Sequence, residues 1–366
     1  MSSSATTDQR DGSTPFETAA LSTPSAGAPF EAVRLQRRAL RDDDVLIDIA
    51  WAGICHSDIH TVRDEWGPAH YPMTPGHEIA GTVAAVGAAV TRYTVGDRVG
   101  VGCLVDACHE CEQCKNGDEQ FCERGAVGTY NAKDYHGEIT QGGYAQQVVV
   151  SESMVVRVPD AIELDVAAPL LCAGITTYVP LKRWGAGPGR RVAVVGVGGL
   201  GHMAVKIAAA MGAEVTTISR SDAKAQDAKD LGASTHIATK DEGALRAAKG
   251  SFDLIINTVS ADLDMKDYVR LLRPQGALVN VGLPPGDLVV APGSLIVGNK
   301  AIAGSNIGGI PDTQEMLDFC AEHGIAATVE HVDATDTTAV DAAYERVVAG
   351  DVRYRAVIDT STITPA

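Results

Sequence analysis

Aromatic side chains are scarce in this chain: Phe, Trp and Tyr make up 5% of its 366 residues. Glycine is abundant at 38 residues, so turns and close backbone approaches must do some of the packing that bulky rings would otherwise do. Basic clusters are missing too. The formal net charge is −17, with Asp and Glu spread along the chain and no Lys/Arg patch to neutralise phosphates or an anionic bilayer. That excludes nucleic acid and membrane as expected partners. No apolar run approaches the ~20 residues that a bilayer span needs. The opening MSSSATTDQRDGSTP has neither a basic start nor an apolar stretch. Residues 1–29 therefore read as a disordered tail, not a targeting signal.

What is present is an ordinary globular composition, 45% hydrophobic, long enough for two domains with separate cores. From about residue 30 the chain runs in short, Val-rich, Gly-punctuated segments such as VLIDIAWAG, IAGTVAAVG, DRVGVGCLV and YAQQVVV. Their period is near two or they are continuously apolar, which predicts a β-rich lobe. From about residue 173 strands alternate with helices: RVAVVGVGG, HMAVKIAAAMGA, AEVTTISR, SDAKAQDAKDLGA, FDLIINTVS, MKDYVRLLRPQG, ALVNVGL. That spacing predicts βαβ units in a doubly wound parallel sheet. Helical stretches at 313–323 and 339–350 and the strand-like YRAVIDT return to the first lobe. The fold class is α/β, with one domain over 30–172 and 309–366 and a Rossmann domain over 173–308.

Eight cysteines are present, and four fall at Cys108-x2-Cys111-x2-Cys114-x7-Cys122. Thiolates at this spacing sit in one compact loop and close a tetrahedral Zn²⁺ site. Disulfides are the alternative, but nothing in the chain points to an oxidising compartment. Four thiolates leave no position for substrate, so this zinc is structural. Reduced thiols and zinc together point to the cytoplasm.

Gly196-Val197-Gly198-Gly199-Leu200-Gly201 follows the strand VAVV and opens an apolar helix. A bare GxGxxG is weak; in this strand–turn–helix order it predicts a dinucleotide pyrophosphate at the helix N-terminus. An NAD site usually ends its second strand in Asp or Glu. This chain has Ser219-Arg220-Ser221, with Arg220 nineteen residues past Gly201. A guanidinium between two hydroxyls suits a 2′-phosphate, and Lys224 adds charge. Asp222 is better explained as a first-turn residue of the next helix. NADP(H) is therefore expected over NAD(H).

Cys55 in ICHSDIH, His77 and Glu78 in GHE, and Cys172 in LLCAGITTY each have an ordinary reading as core or turn, and spacing alone does not bring them together. GHE-x2-G-x5-G-x2-V from Gly76 to Val90, the four-cysteine loop, GVGGLGH and SNIGG at 305–309 occur in one chain and in family order. Together they resemble the zinc-dependent medium-chain alcohol dehydrogenase superfamily. Within it the chain is most similar to the cinnamyl alcohol dehydrogenase group and to bacterial NADP-dependent aldehyde reductases, over about residues 30–360.

The resemblance implies a GroES-like catalytic domain whose second, catalytic zinc is held by Cys55, His77 and Cys172. Glu78 stands beside that metal, able to ligate it in place of water. It also implies that Asp58 orients the site from behind and that Ser57 and His60 relay a proton from substrate to solvent. Ser57 borders the cofactor as well, and His56 has a positioning role. Thr258, Gly282, Asn306 and Ile307 join the cofactor contacts, with Trp66, Cys103 and Tyr130 in the substrate pocket. Val127 and Asn306 stand where plant lignin-pathway members carry aromatic residues, which weakens the expectation of cinnamyl substrates. The implied protein is a homodimeric enzyme with two zinc ions per chain, interconverting small primary alcohols and aldehydes with NADP(H), mainly as a reductase. A non-catalytic cofactor- or zinc-binding protein and a polyol dehydrogenase are the alternatives.

Overall fold

The computed structural model describes residues 12–365. They separate into two units: one holds the chain up to Cys172 with Gly309–Gln314 and Thr328 onward, the other Ala173–Gly308 and Glu315–Ala327.

The first unit is built on a seven-stranded mixed sheet whose spine is the 11-residue strand Asp44–Ile54. Ile79–Val86 runs antiparallel along one edge of the spine; Gln147–Ser151 and Arg355–Asp359 take the other. Arg98–Val101 and Val156–Arg157 extend the sheet beyond Ile79–Val86, and Val329–Asp333 pairs in parallel with Arg355–Asp359. Val45, Leu46 and Ile47 are all fully buried, so both faces of the spine are covered. That is why VLIDIAWAG reads as a continuous apolar run and not as an alternation.

The expected tail is corrected in part. Residues 1–11 lie outside the described residues, but Phe16–Ser22 is a strand, paired antiparallel with Glu31–Arg37 from Phe16 opposite Arg37 to Ser22 opposite Glu31. Leu21 is fully buried in a cluster with Phe30, Tyr144 and Tyr344. Small residues (Thr18, Ala19, Ala20, Ser22) dominate this strand, so its alternation carries little hydrophobic contrast and is easily taken for a polar leader.

The second unit carries six parallel strands in the order Thr235–Ala238, Glu214–Ser219, Arg191–Val195, Phe252–Asn257, Leu272–Asn280, Ala301–Gly304. Strand order reverses between Arg191–Val195 and Phe252–Asn257, the point where doubly wound sheets open a ligand crevice at their carboxyl ends. A second correction concerns Glu315–Ala327, expected in the first domain. Helix Ile310–Glu322 buries Met316, Leu317 and Cys320 completely. Its Phe319 ring packs on Tyr178 with centroids 5.5 Å apart, and Lys206 Nζ donates to the Ala326 carbonyl at 2.8 Å. Periodicity identifies this helix without saying which core its apolar stripe joins. No single helix among the described residues is long and apolar enough to cross a membrane.

If Phe16–Ser22 is structural, Leu21→Ala should destabilise the protein by about 2–5 kcal/mol, as buried leucines do. Glu31→Ala, on the exposed partner strand, should stay within about 0.5 kcal/mol. Urea denaturation that leaves both variants at the wild-type midpoint would return the segment to a tail.

Candidate active site

Four side chains that are distant in sequence meet in the first unit. Cys55 follows the spine strand directly and caps helix His56–Val62, while His77 and Glu78 immediately precede Ile79–Val86. Ala52 is registered opposite Ile79, so the pairing of these two strands brings Cys55 and His77 to one edge. Cys172 arrives from the 3-10 turn Ala168–Leu171. The two sulfurs are 3.9 Å apart, and His77 Nε2 lies 3.3 Å from Cys172 Sγ. One ligand atom from each of Cys55, His77, Glu78 and Cys172 falls within 4.8 Å of all the others, and all four residues are buried.

Asp58 sets the polarity of this cluster. Fully buried, it lies with Oδ1 2.9 Å from His77 Nδ1, and its Oδ2 accepts the Cys55 N–H at 2.9 Å and the Tyr144 hydroxyl at 3.2 Å. Tyr344 in turn donates to Tyr144 at 3.2 Å. A carboxylate only accepts, so His77 Nδ1 carries a proton and Nε2 is the nitrogen turned toward the sulfurs. Burial pulls the His77 pKa down, but Asp58 together with Cys103 and Cys55 outweighs it and holds the imidazole well above its usual value, so a metal at Nε2 would take the place of a proton. Cys55 is held well below the usual thiol value by a hydrogen bond from Cys172, against burial. Cys172 is pushed well above it by its bonds with Cys103 and Cys55. Without a metal these thiols divide their protons unequally.

Glu78 completes the set. Its Oε1 accepts from Arg355, which also donates to the Ile54 carbonyl at 3.0 Å. Its Oε2 is buried with no hydrogen-bond partner among the described residues. A Cβ at Gly53 would lie 2.0 Å from that same oxygen, so only glycine leaves it room. Burial opposes the Arg355 charge, but Glu78, Cys55 and Cys172 outweigh it and keep the guanidinium firmly cationic. Two sulfurs, one imidazole nitrogen and an orphaned carboxylate oxygen fit a zinc ion that keeps an exchangeable position.

The second cluster, Cys108, Cys111, Cys114 and Cys122, also has its sulfurs within 4.8 Å of one another. Backbone N–H groups point at them: Cys108 N to Cys122 Sγ at 3.4 Å, Cys111 N to Cys108 Sγ at 3.4 Å, Cys114 N to Cys111 Sγ at 3.5 Å. Burial works against a Cys122 thiolate, yet the Cys108 N–H and the Tyr135 hydroxyl lower it to about 6, while burial pushes Cys114 up to about 12. Four thiols at this range ionise together only around a cation, and four protein donors complete a tetrahedral zinc site and close it.

Around the first cluster, Ser57 Oγ lies 3.7 Å from Cys55 Sγ, half-buried. His60 is half-buried, pairs through Nδ1 with Glu65 and stacks on Trp66 at 4.8 Å between centroids. His56 is exposed. The Tyr130 ring stands 6.1 Å from that of His77. Val127 is buried in the short strand Val127–Gly128.

In the second unit the three fingerprint glycines do different work. Gly196 has φ +91°, and a Cβ there would meet Thr258 Oγ1 at 2.8 Å; a Cβ on Gly201 would meet the Gly196 carbonyl at 2.0 Å. Gly198 faces open space, with nothing within 4 Å of its Cβ position. A tight turn, an open approach and a close helix contact are what a bound pyrophosphate requires of these positions. Helix Gly201–Ala210 follows. Thr258 Oγ1 donates to the Val195 carbonyl at 2.8 Å and so braces the turn, and a Cβ on Gly282 would sit 2.4 Å from the Val259 carbonyl. Lys224 Nζ donates to the Val197 carbonyl at 2.8 Å, tying the end of the second strand to the turn. Arg220 is exposed and its guanidinium has no partner among the described residues. Asn306 and Ile307 follow the last strand, Ile307 with φ +31°.

Sequence reasoning missed Gly53, Arg355, Tyr144 and Tyr344. Arg355 left a signal, a lone cation opening the apolar strand RAVID, but nothing named Glu78 as its partner.

Two family models match the chain, the alcohol dehydrogenase GroES-like domain over residues 41–160 and the zinc-binding dehydrogenase over residues 199–322. The chain is 57% identical to Probable formaldehyde dehydrogenase AdhA of Bacillus subtilis, over 95% of this chain and 99% of that protein. It is 50% identical to Aldehyde reductase YahK of Escherichia coli, over 93% and 97%. Among solved structures it resembles the CAD of Helicobacter pylori complexed with NADP(H), with TM-score 0.88, 41% identity, and 96% and 100% covered.

Elemental analysis should find two zinc ions per chain. Cys111→Ser should lose one and melt earlier, because structural zinc contributes on the order of 10 kcal/mol in small domains and the loop has little core of its own. Asp58→Asn should keep the structural ion but weaken the other by about 10–100-fold in chelator competition. One zinc in fully active wild type would contradict the assignment.

Proposed function

The chain belongs to the zinc-dependent medium-chain alcohol dehydrogenase superfamily, and we propose on that basis that it interconverts primary alcohols and aldehydes with NADP(H), mainly as a broad-specificity aldehyde reductase. The observation that carries this reading is the buried Cys55/His77/Cys172 set with the unpartnered Glu78 oxygen beside it. In a closed structural site the fourth donor is a permanent ligand, whereas here it is tied through its other oxygen to Arg355. When bound, zinc supplies Lewis acidity toward a substrate oxygen and the reduced cofactor supplies hydride.

The protein's own groups do the rest. Cys55, His77 and Cys172 hold the metal, and Asp58 keeps His77 in the tautomer that binds it. Ser57 donates a proton to the oxygen of the forming alcohol, and His60 exchanges protons with water at the outer end of the route. Asp58 offsets positive charge from below. Tyr130 and Cys103 border the metal set, which supports them as pocket residues. Trp66 stacks on His60 and belongs with the relay. In the second unit the backbone of Gly196–Gly201 receives the pyrophosphate, and Arg220, Ser221 and Lys224 read the 2′-phosphate. Free cysteines throughout support a reducing, cytoplasmic setting.

Loss of NADPH absorbance over a panel of aldehydes tests this reading. Ser57→Ala should keep its zinc and lose about 10²–10⁴ in kcat. His60→Ala should lose less and shift the pH profile. Arg220→Asp should remove the preference for NADPH over NADH, a contact of about 1.5–3 kcal/mol, with zinc unchanged. Wild-type turnover in Ser57→Ala, with chemistry limiting, removes Ser57 from the mechanism.

A homodimer is proposed on the second unit's surface. Val289, Ile296 and Val297 are 79%, 73% and 90% exposed beside the open edge strand Ala301–Gly304. Apolar residues along an unpaired strand edge call for a cover, and a second copy supplies one. Sedimentation should find dimers for wild type and a shift toward monomer for Val297→Glu; a monomeric wild type ends the proposal.

A further inference from the structure

His236 lies on Thr235–Ala238, registered opposite Thr217 of the second strand, and the cofactor reading does not use it. Its half-buried ring makes three contacts. Nδ1 is 2.8 Å from Thr217 Oγ1, and Nε2 is 3.2 Å from both Ser219 Oγ and the Ser221 carbonyl oxygen. A carbonyl only accepts, so Nε2 carries the proton and Nδ1 accepts from the Thr217 hydroxyl. Ser219 Oγ donates to the same Ser221 carbonyl at 2.9 Å. The N–H groups of Thr239 and Lys240 hold the Ser219 and Arg220 carbonyls at 2.8 and 3.1 Å. Residues 219–221 are thus braced from the neighbouring strand and the two residues that follow it, by one imidazole and two backbone bonds. The Ser219 hydroxyl is spent on that brace, while the Arg220 guanidinium stays free.

We propose that His236 is a positioning residue for 2′-phosphate recognition. It orders Ser219–Ser221 so that the Arg220 guanidinium and the Ser221 hydroxyl are presented on a fixed loop, and Ser219 acts as part of the brace and not as a phosphate contact. This rests on the reading of Arg220 as the group that tells NADP from NAD. Ordering a loop before binding removes a cost that is otherwise met at binding. That cost weighs on a ligand only where the ligand touches the loop. A nucleotide without the 2′-phosphate does not depend on it.

Calorimetric titration of the zinc-loaded full chain with 2′,5′-ADP and with 5′-AMP separates the two. His236→Phe keeps the ring's bulk and removes its hydrogen bonds. It should weaken 2′,5′-ADP by about five- to tenfold, the scale of ordering one or two side chains, and leave 5′-AMP within about twofold. His236→Gln, whose amide reaches similar acceptors, should recover most of the loss. His236→Leu repeats the measurement if the Phe variant does not fold. Equal weakening of both nucleotides, or no change in either, overturns the proposal. Arg220→Ala is the control. If it leaves the preference for 2′,5′-ADP intact, the Arg220 reading and this proposal fail together. If it removes the preference while His236→Phe does not move it, only this proposal fails.

Discussion

A carboxylate with no access to water must be matched on every side, and Asp58 is the point at which this protein meets that demand. Its partners come from three parts of the chain: the Cys55 N–H from the helix it sits on, His77 from the start of the next strand, and Tyr144, itself backed by Tyr344, from the loop before Gln147–Ser151. Each partner is a donor, so the charge is stabilised in place, and the same bonds fix the direction in which His77 offers its lone pair. An apolar residue here would leave the imidazole free to turn and the Cys55 amide unsatisfied. The metal set is therefore shaped from behind, by a group that touches no metal.

Scarcity of aromatics has a counterpart in how this centre is packed. The chain brings backbone close to side chain here: the missing Cβ of Gly53 leaves the space that the Glu78 carboxylate fills. Two of the rings stand where a polar tip is needed. Tyr144 is fully buried and Tyr344 nearly so, and both hydroxyls belong to the Asp58 network while their rings close the core around Phe30. An aromatic body with one hydrogen-bonding end performs both tasks at once.

Local features of this architecture were legible in the residues, and long-range ones were not. The four-cysteine loop spans fifteen residues and the glycine turn six, so both could be read from spacing. The alternation of strands and helices after residue 173 likewise carried its own topology. Cys55, His77 and Cys172 are brought together only by strand pairing and a 3-10 turn, over separations that no periodicity encodes; family resemblance supplied what the pattern did not. Phe16–Ser22 was read as part of a tail because Ala, Thr and Ser bury without announcing themselves. Arg355 and His236 were missed for a common reason. Each acts across a sheet, on a residue whose register cannot be known before the strands are paired.

Charge balance explains why Glu78 needs Arg355. A dication with the Cys55 and Cys172 thiolates is neutral as a set, so a bare carboxylate beside it would add an uncompensated buried charge. Arg355 supplies the compensation at Oε1 and is itself tied to the Ile54 carbonyl, which keeps it from moving into the site. Burial still pushes the Glu78 carboxyl up to about 8 against that charge, and Oε2 is left unspent. Close to the sulfurs and only half satisfied, Glu78 is the residue that would hold a fourth metal position where no substrate oxygen occupies it. A fully satisfied carboxylate could not enter, and a free one would not leave. The Arg355 contact sets Glu78 between those limits, which is the condition an exchangeable ligand has to meet.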